Sequence, residues 1–211
     1  KKKTQIQRKM ISNIGIIGAG TMGCGIAQVA AQNKHKVVVV DKDKQQLEKA
    51  KAGLDKILSR LCEKERITIQ NKEAILHRIT FTTDLKQLSN SDLIIEDIIE
   101  KLGVKHEVLK DLEPLVSNSC IIASNPSSLS IASIGSVLQK ANRVIGIHFF
   151  NPAPLMPLVE IIPAVQTDEK TLNAANDLIK NWGKTVVKCK DTPGFIVNRV
   201  ARPFYGEALR I

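Results

Sequence analysis

Short apolar runs alternate along this chain with longer stretches of helical rhythm. Residues 11–17 form one such run, and Lys36-Val37-Val38-Val39-Val40 forms another, ended by Asp41. Short, largely apolar runs of this kind suit strands buried on both faces of a parallel sheet. Between the two, Thr21 to Asn33 reads as a helix rich in Ala, Ile and Val. Further strands are expected at 93–95, 120–123, 143–147 and 158–162. Helices are expected where Leu47, Ala50, Leu54, Ile57, Leu58 and Leu61 keep a 3.6-residue rhythm, and over Val104 to Val116 and Thr171 to Trp182. Strand and helix in alternation predict an α/β fold with a doubly wound, mainly parallel sheet.

The last stretch has a different character. Asp191-Thr192-Pro193-Gly194 is turn chemistry, and Phe195 to Ile211 then reads as one helix that Pro203 should bend or divide. A helix that stops at Leu209-Arg210-Ile211 without a cap is expected to open a further domain, the chain being a truncated or processed one. The expected organisation is a sheet domain over 1–190 and the first helix of an all-α domain over 191–211.

Composition narrows the partners. Lys and Arg exceed Asp and Glu by 31 to 21, a formal charge of +10. That excess can draw nucleic acid, an anionic surface or a polyanionic metabolite. Aromatic residues make up only 3% of the chain, too few to offer stacking platforms to single strands, so no nucleic acid is expected. No run approaches the ~18 apolar residues of a membrane span, so no membrane is expected either. Lys1-Lys2-Lys3 and Arg8-Lys9 read as a solvated tail without the apolar core of a secretory signal. Cys24, Cys62, Cys120 and Cys189 are scattered, with no metal-ligand spacing, so buried free thiols in a reducing, cytoplasmic setting are expected.

Gly18-Ala19-Gly20-Thr21-Met22-Gly23 is G-x-G-x-x-G, set between the first strand and the first helix. Gly18 permits the tight turn, Gly20 admits a pyrophosphate to the backbone, and Gly23 lets the helix pack against the strand. Thr21 and Met22 open that helix, whose free N–H groups and partial positive charge attract phosphate. Alone the hexapeptide is weak, but Asp41 ends the second strand 23 residues past Gly18, where a ribose-binding acid belongs. A carboxylate there accepts from a 2′-hydroxyl and repels a 2′-phosphate, which favours NAD over NADP. Lys42 and Lys44 soften that repulsion. The whole is a Rossmann-type dinucleotide site.

His148 lies at the carboxyl end of the strand over 143–147, the sheet edge at which ligands of open α/β sheets bind. His35, His77 and His106 lie beside charged residues and read as structural. His148 differs because Asn151 follows it and Glu160 lies 12 residues on, across a Pro-rich turn. A carboxylate returning on the next strand can orient an imidazole for proton transfer.

With these segments in order, the chain resembles the NAD-dependent L-3-hydroxyacyl-CoA dehydrogenase family from Ile14 onward. The resemblance rests on residues 16–23, on Asp92-Leu93-Ile94-Ile95-Glu96 and on Ala123-Ser124-Asn125-Pro126-Ser127-Ser128-Leu129. It is completed by His148-Phe149-Phe150-Asn151-Pro152, Leu158-Val159-Glu160 and residues 191–199. It implies that His148 exchanges the proton of a substrate C3 hydroxyl while Glu160 holds the imidazole. It implies that Ser127 and Asn198 hydrogen-bond an acyl-CoA substrate, and that Ser127, Asn151, Glu100 and Lys105 line NAD. It also implies a homodimer for a full-length chain.

Three residues depart from the family pattern. Pro126 stands where Thr is usual, which removes an N–H and a hydroxyl beside Ser127. Asp97 replaces a small apolar residue and adds a negative charge at the cofactor edge, and Pro157 replaces a residue that is commonly basic. Lys49, Lys51, Lys56, Arg60 and Lys64 share one helix face, open to coenzyme A phosphates or simply solvated. Two alternatives stay open: a dinucleotide-binding chain without turnover, and a nucleic-acid binder.

Overall fold

The computed structural model describes residues 11–210, so the basic tail at 1–9 and Ile211 lie outside the described residues. The strands are β1 (Asn13–Ile17), β2 (Lys36–Val40), β3 (Ile79–Thr82), β4 (Leu93–Glu96), β5 (Ile121–Ser124), β6 (Val144–Phe149), β7 (Leu158–Pro163) and β8 (Thr185–Lys188). The helices are α1 (Thr21–Gln32), α2 (Lys44–Glu63), α3 (Ile69–His77), α4 (Leu102–Leu112), α5 (Ile131–Gly135), α6 (Glu169–Asn181) and α7 (Val197–Ala208). All eight strands join one sheet in the order β3-β2-β1-β4-β5-β6-β7-β8. Every neighbouring pair is parallel except β6 with β7. The expected α/β, doubly wound sheet is therefore present, and its order reverses between β1 and β4, the place at which such sheets bind ligands.

Alternation along each strand explains the two covered faces. Ile14 and Ile16 of β1, Leu93 and Ile95 of β4, and Ile145 and Ile147 of β6 enter one core with α1, α2 and α6. Ile17, Ile94 and Val144 point the other way, into a second core with Leu109 and Leu112 of α4 and Ile131 and Ile134 of α5. Each fully buried Ile or Leu contributes about 1.5–3 kcal/mol over exposure, so reversing the side of any central strand is prohibitive. Helix starts follow local chemistry: Asp43 caps α2 through Gln45 N, and Asp168 caps α6 through Thr171 N.

Several elements differ from expectation. β3, β8, α3 and α5 were not foreseen. β3 and β8 are four-residue edge strands, and α3 buries only Ile75. The final helix runs from Val197 to Ala208 rather than from Phe195, because Phe195 takes a positive φ of 49° that ends the preceding turn. Pro203 lies within it without dividing it. All four cysteines are free thiols, but only Cys120 and Cys189 are buried, Cys24 and Cys62 being half-buried. Among the described residues no helix is long and apolar enough to cross a membrane, and no His, Cys, Asp and Glu cluster suits a metal.

Candidate active site

Residues from several strand ends and from α1, α4 and α7 meet at the carboxyl edge of the sheet. His148 and Glu160 are partners across the antiparallel β6–β7 ladder, with Nδ1 and Oε2 2.7 Å apart and both side chains buried. The other Glu160 oxygen accepts from Ile196 N at 3.0 Å and Val197 N at 2.9 Å, the N-terminal end of α7. With the carboxylate accepting at every contact, Nδ1 carries the ring proton and Nε2 keeps its lone pair. Phe150 and Phe195 flank the imidazole, ring centroids 4.6 and 5.6 Å away. Burial, with the nearby Glu160 charge, pushes the Cys189 thiol up to about 12, so it stays protonated.

A second set leads to the same place. Glu100 Oε1 accepts from the consecutive amides of Ser127, Ser128 and Leu129 at 2.8, 3.0 and 3.4 Å. Pro126 has no N–H, yet the amides after it converge on this one carboxylate. Asn198, in the first turn of α7, donates its Nδ2 to Ser127 O at 3.1 Å. The Ser127 side chain is exposed at the edge. Lys105 is wholly buried, with Nζ 2.6 Å from Glu96 Oε1 and 3.7 Å from Glu100 Oε2. It therefore meets the edge through Glu100 rather than with its own ammonium. Ser124 Oγ completes Glu96 at 2.5 Å.

The glycine-rich turn lies across the switch point. Gly18 has a φ of 109°, and a Cβ on it would stand 2.3 Å from Asp97 O. A Cβ on Gly23 would stand 2.1 Å from Gly18 O, so helix and turn touch only because both residues lack one. At Gly20 that space is open, and Gly20 gives α1 no side-chain cap. The first-turn N–H groups beside Thr21 and Met22 thus face an approachable backbone, which fits a pyrophosphate. Asp41 directly follows β2, with Oδ2 accepting from Ala19 N at 2.9 Å and Oδ1 from Asp43 N at 3.0 Å, which fixes its carboxylate beside the turn. Asn151 stands exposed two residues past the end of β6.

Sequence reasoning gave no role to Glu96, Ser124, Asn125 or Phe195. Adjacent acids at the end of a fully apolar strand, Glu96 and Asp97, were the available signal, because buried carboxylates require partners. Asn125 supplies one: its Nδ2 donates to Asp97 Oδ1 at 2.7 Å, and its Oδ1 accepts from Phe149 N at 2.8 Å.

Turn, switch point and buried histidine–carboxylate pair together define a dinucleotide-dependent dehydrogenase fold. Comparison with known proteins narrows the class. Residues 13–192 match the model of the 3-hydroxyacyl-CoA dehydrogenase NAD binding domain, and the chain belongs to that family. Its cofactor is accordingly NAD. It is 41% identical over 208 residues to a mitochondrial hydroxyacyl-coenzyme A dehydrogenase from Sus scrofa, an alignment covering 96% of this chain and 66% of that one. It is 41% identical to a probable 3-hydroxybutyryl-CoA dehydrogenase from Deinococcus radiodurans, over 93% of this chain and 70% of that one. A crystal structure of 3-hydroxybutyryl-CoA dehydrogenase from Escherichia coli superposes with a TM-score of 0.93 at 39% identity, covering 95% of this chain and 43% of the other. The chain thus spans about two thirds of the length of those curated relatives, and less than half of that structure.

Proposed function

We propose that this protein interconverts (S)-3-hydroxyacyl-CoA and 3-oxoacyl-CoA with NAD, His148 serving as general base and, in reverse, general acid. The observation that carries this reading is the 2.7 Å contact between His148 Nδ1 and Glu160 Oε2. It leaves Nε2 as the ring atom that accepts the C3 hydroxyl proton. When bound, NAD supplies the acceptor for the hydride that leaves C3. Glu160 acts by positioning: it fixes the tautomer and stabilises the imidazolium that forms. Ser127 and Asn198, tied to each other through the Ser127 carbonyl, bind the substrate oxygens. The glycine-rich turn and Asp41 hold the adenosine half of the cofactor, and Asn151 and Glu100 line its nicotinamide half. Lys105 supports Glu100 from beneath.

The experiment is loss of NADH absorbance with acetoacetyl-CoA, for the native chain and for His148→Ala. Turnover that the substitution removes supports the reading, and turnover that survives it unchanged sinks the reading. A second reading is a dinucleotide-binding chain without turnover. It is favoured by Pro126, which removes an N–H and a hydroxyl beside Ser127. It is recognised by NADH binding with no oxidation. Acyl-CoA is the substrate in either direction, and the homodimer expected for a full-length chain belongs to the same proposal.

A further inference from the structure

We infer that Asp97 restrains the affinity of the glycine-rich turn for the cofactor's pyrophosphate, so that the chain holds NAD more weakly than the turn by itself would. The inference rests on the reading that the pyrophosphate lies at the N-terminus of α1.

A helix N-terminus attracts phosphate through unpaired N–H groups and a partial positive charge of about half an elementary unit. The first turn of α1 carries no acid of its own. Asp97 brings one from outside. It leaves the end of β4 and passes beneath the turn, its carbonyl oxygen filling the space that a Gly18 Cβ would take. Its Oδ2 lies 3.3 Å from where a Gly23 Cβ would stand, and the Gly23 N–H favours its ionised form. Asp41 already holds Ala19 N. One carboxylate therefore reaches the helix pole itself while a second holds the turn just before it, and the pyrophosphate arrives at a pole that already faces an acid.

The neighbouring charges do not cancel that of Asp97. Lys105 on α4 is the nearest cation, but Glu96 on β4 takes its ammonium at 2.6 Å. The Cys24 thiol on α1 also faces it, and is pushed up to about 11 by burial and by the charges of Asp97 and Asp41. Burial likewise pushes the Asp97 carboxyl up to about 6, against the pull of the Asn125 amide. Near that pH Asp97 takes up a proton, and a dianionic ligand at the same pole favours the protonated form. Affinity for NADH should therefore rise as the pH falls through 6.

The residue has a use that explains its presence. Through Asn125 it ties the turn to Phe149 N, one residue from His148, at 2.7 and 2.8 Å. The same hydrogen bonds that lock the two halves of the site together bring the opposing charge to the phosphate pole.

The test is titration of the full chain, of Asp97→Ala and of Asp97→Ser with NADH, ADP and adenosine at pH 8 and 5.5, followed by NADH fluorescence and by calorimetry. The Ser variant keeps an oxygen acceptor for Asn125 should the Ala variant fold poorly. At pH 8 the variants should bind NADH and ADP on the order of 3–10-fold more tightly, a size set by one partly screened charge a few ångströms away. Adenosine, which has no phosphate, should bind them all alike. At pH 5.5 the gain should shrink. NADH affinity at pH 8 that is unchanged or weaker in the variants overturns the inference, and so does an equal gain for adenosine. Failure of all three chains to bind NADH removes the cofactor reading itself, and the inference with it.

Discussion

Glu160 joins two things that are far apart in sequence: the ring of His148, its partner across the ladder, and the amide end of α7, 36 and 37 residues further on. One of its oxygens serves each. Replacing it by Gln forces an NH2 group against a donor on one side or the other. Glu160→Gln should therefore lower turnover and melting temperature together. His148→Ala should lower turnover by about 10²–10⁴ while also lowering melting, since it leaves a cavity and a buried Glu160 oxygen without its partner. His148→Gln should lower turnover as far with a smaller loss of melting temperature. Stopped-flow NADH absorbance and calorimetric melts on the three variants distinguish these outcomes.

Asp41 should prove both structural and selective. Its Oδ2 holds the turn at Ala19 N, at 2.9 Å. Loss of one charged hydrogen bond is worth roughly 1.5–3 kcal/mol. Asp41→Ala should weaken NADH by about 10-fold or more while weakening NADPH little, because the 2′-phosphate no longer meets a carboxylate. Parallel titrations with the two dinucleotides give the ratio, and a ratio that stays constant contradicts the assignment.

Removing one member of the buried Lys105–Glu96 pair should cost far more than removing both. Lys105→Met leaves a carboxylate buried without its ammonium, an effect on the order of 3–5 kcal/mol. Adding Glu96→Gln should return part of that. Urea midpoints of the single and double variants measure the coupling, and additive losses would contradict it.

His35 gives the fold a pH dependence away from the site. Its Nε2 accepts from Trp182 Nε1 at 2.9 Å, an acceptor role open only to the neutral ring. Burial holds its pKa below 6.5. A group depressed in the fold adds stability that is fully present above pH 6.5 and is lost as the pH falls through the lower folded value. Trp182 is the single tryptophan, so its fluorescence reports the contact directly. Melting temperature should fall between pH 7.5 and 5, and His35→Gln should flatten that part of the fall.

The central strands were legible because Val37 to Val40 and Leu93 to Ile95 are apolar on consecutive residues, which only a sheet covered on both faces requires. β3 and β8 were not, since four residues at an edge, half of them polar, leave no period to read. The G-x-G-x-x-G turn carried its own conformation. The spacing of His148 and Glu160 suggested an antiparallel return but left the ladder register open. Glu100 offers the opposite lesson. Its catch of three successive amides depends on how β4 and β5 sit side by side, and no local pattern encodes that. Lys105 likewise reads as an ordinary helix lysine until the packing of α4 takes its ammonium out of solvent.

The docking of α7 on Glu160 ties the orientation of that carboxylate to a part of the chain that lies beyond the sheet. Without the segment beyond β8 the carboxylate would lack two of its donors, and the ladder partnership with His148 would be left to hold it. Whatever shifts the start of α7 therefore shifts the carboxylate that faces His148, so a helix outside the sheet has a hand in the geometry of a pair within it.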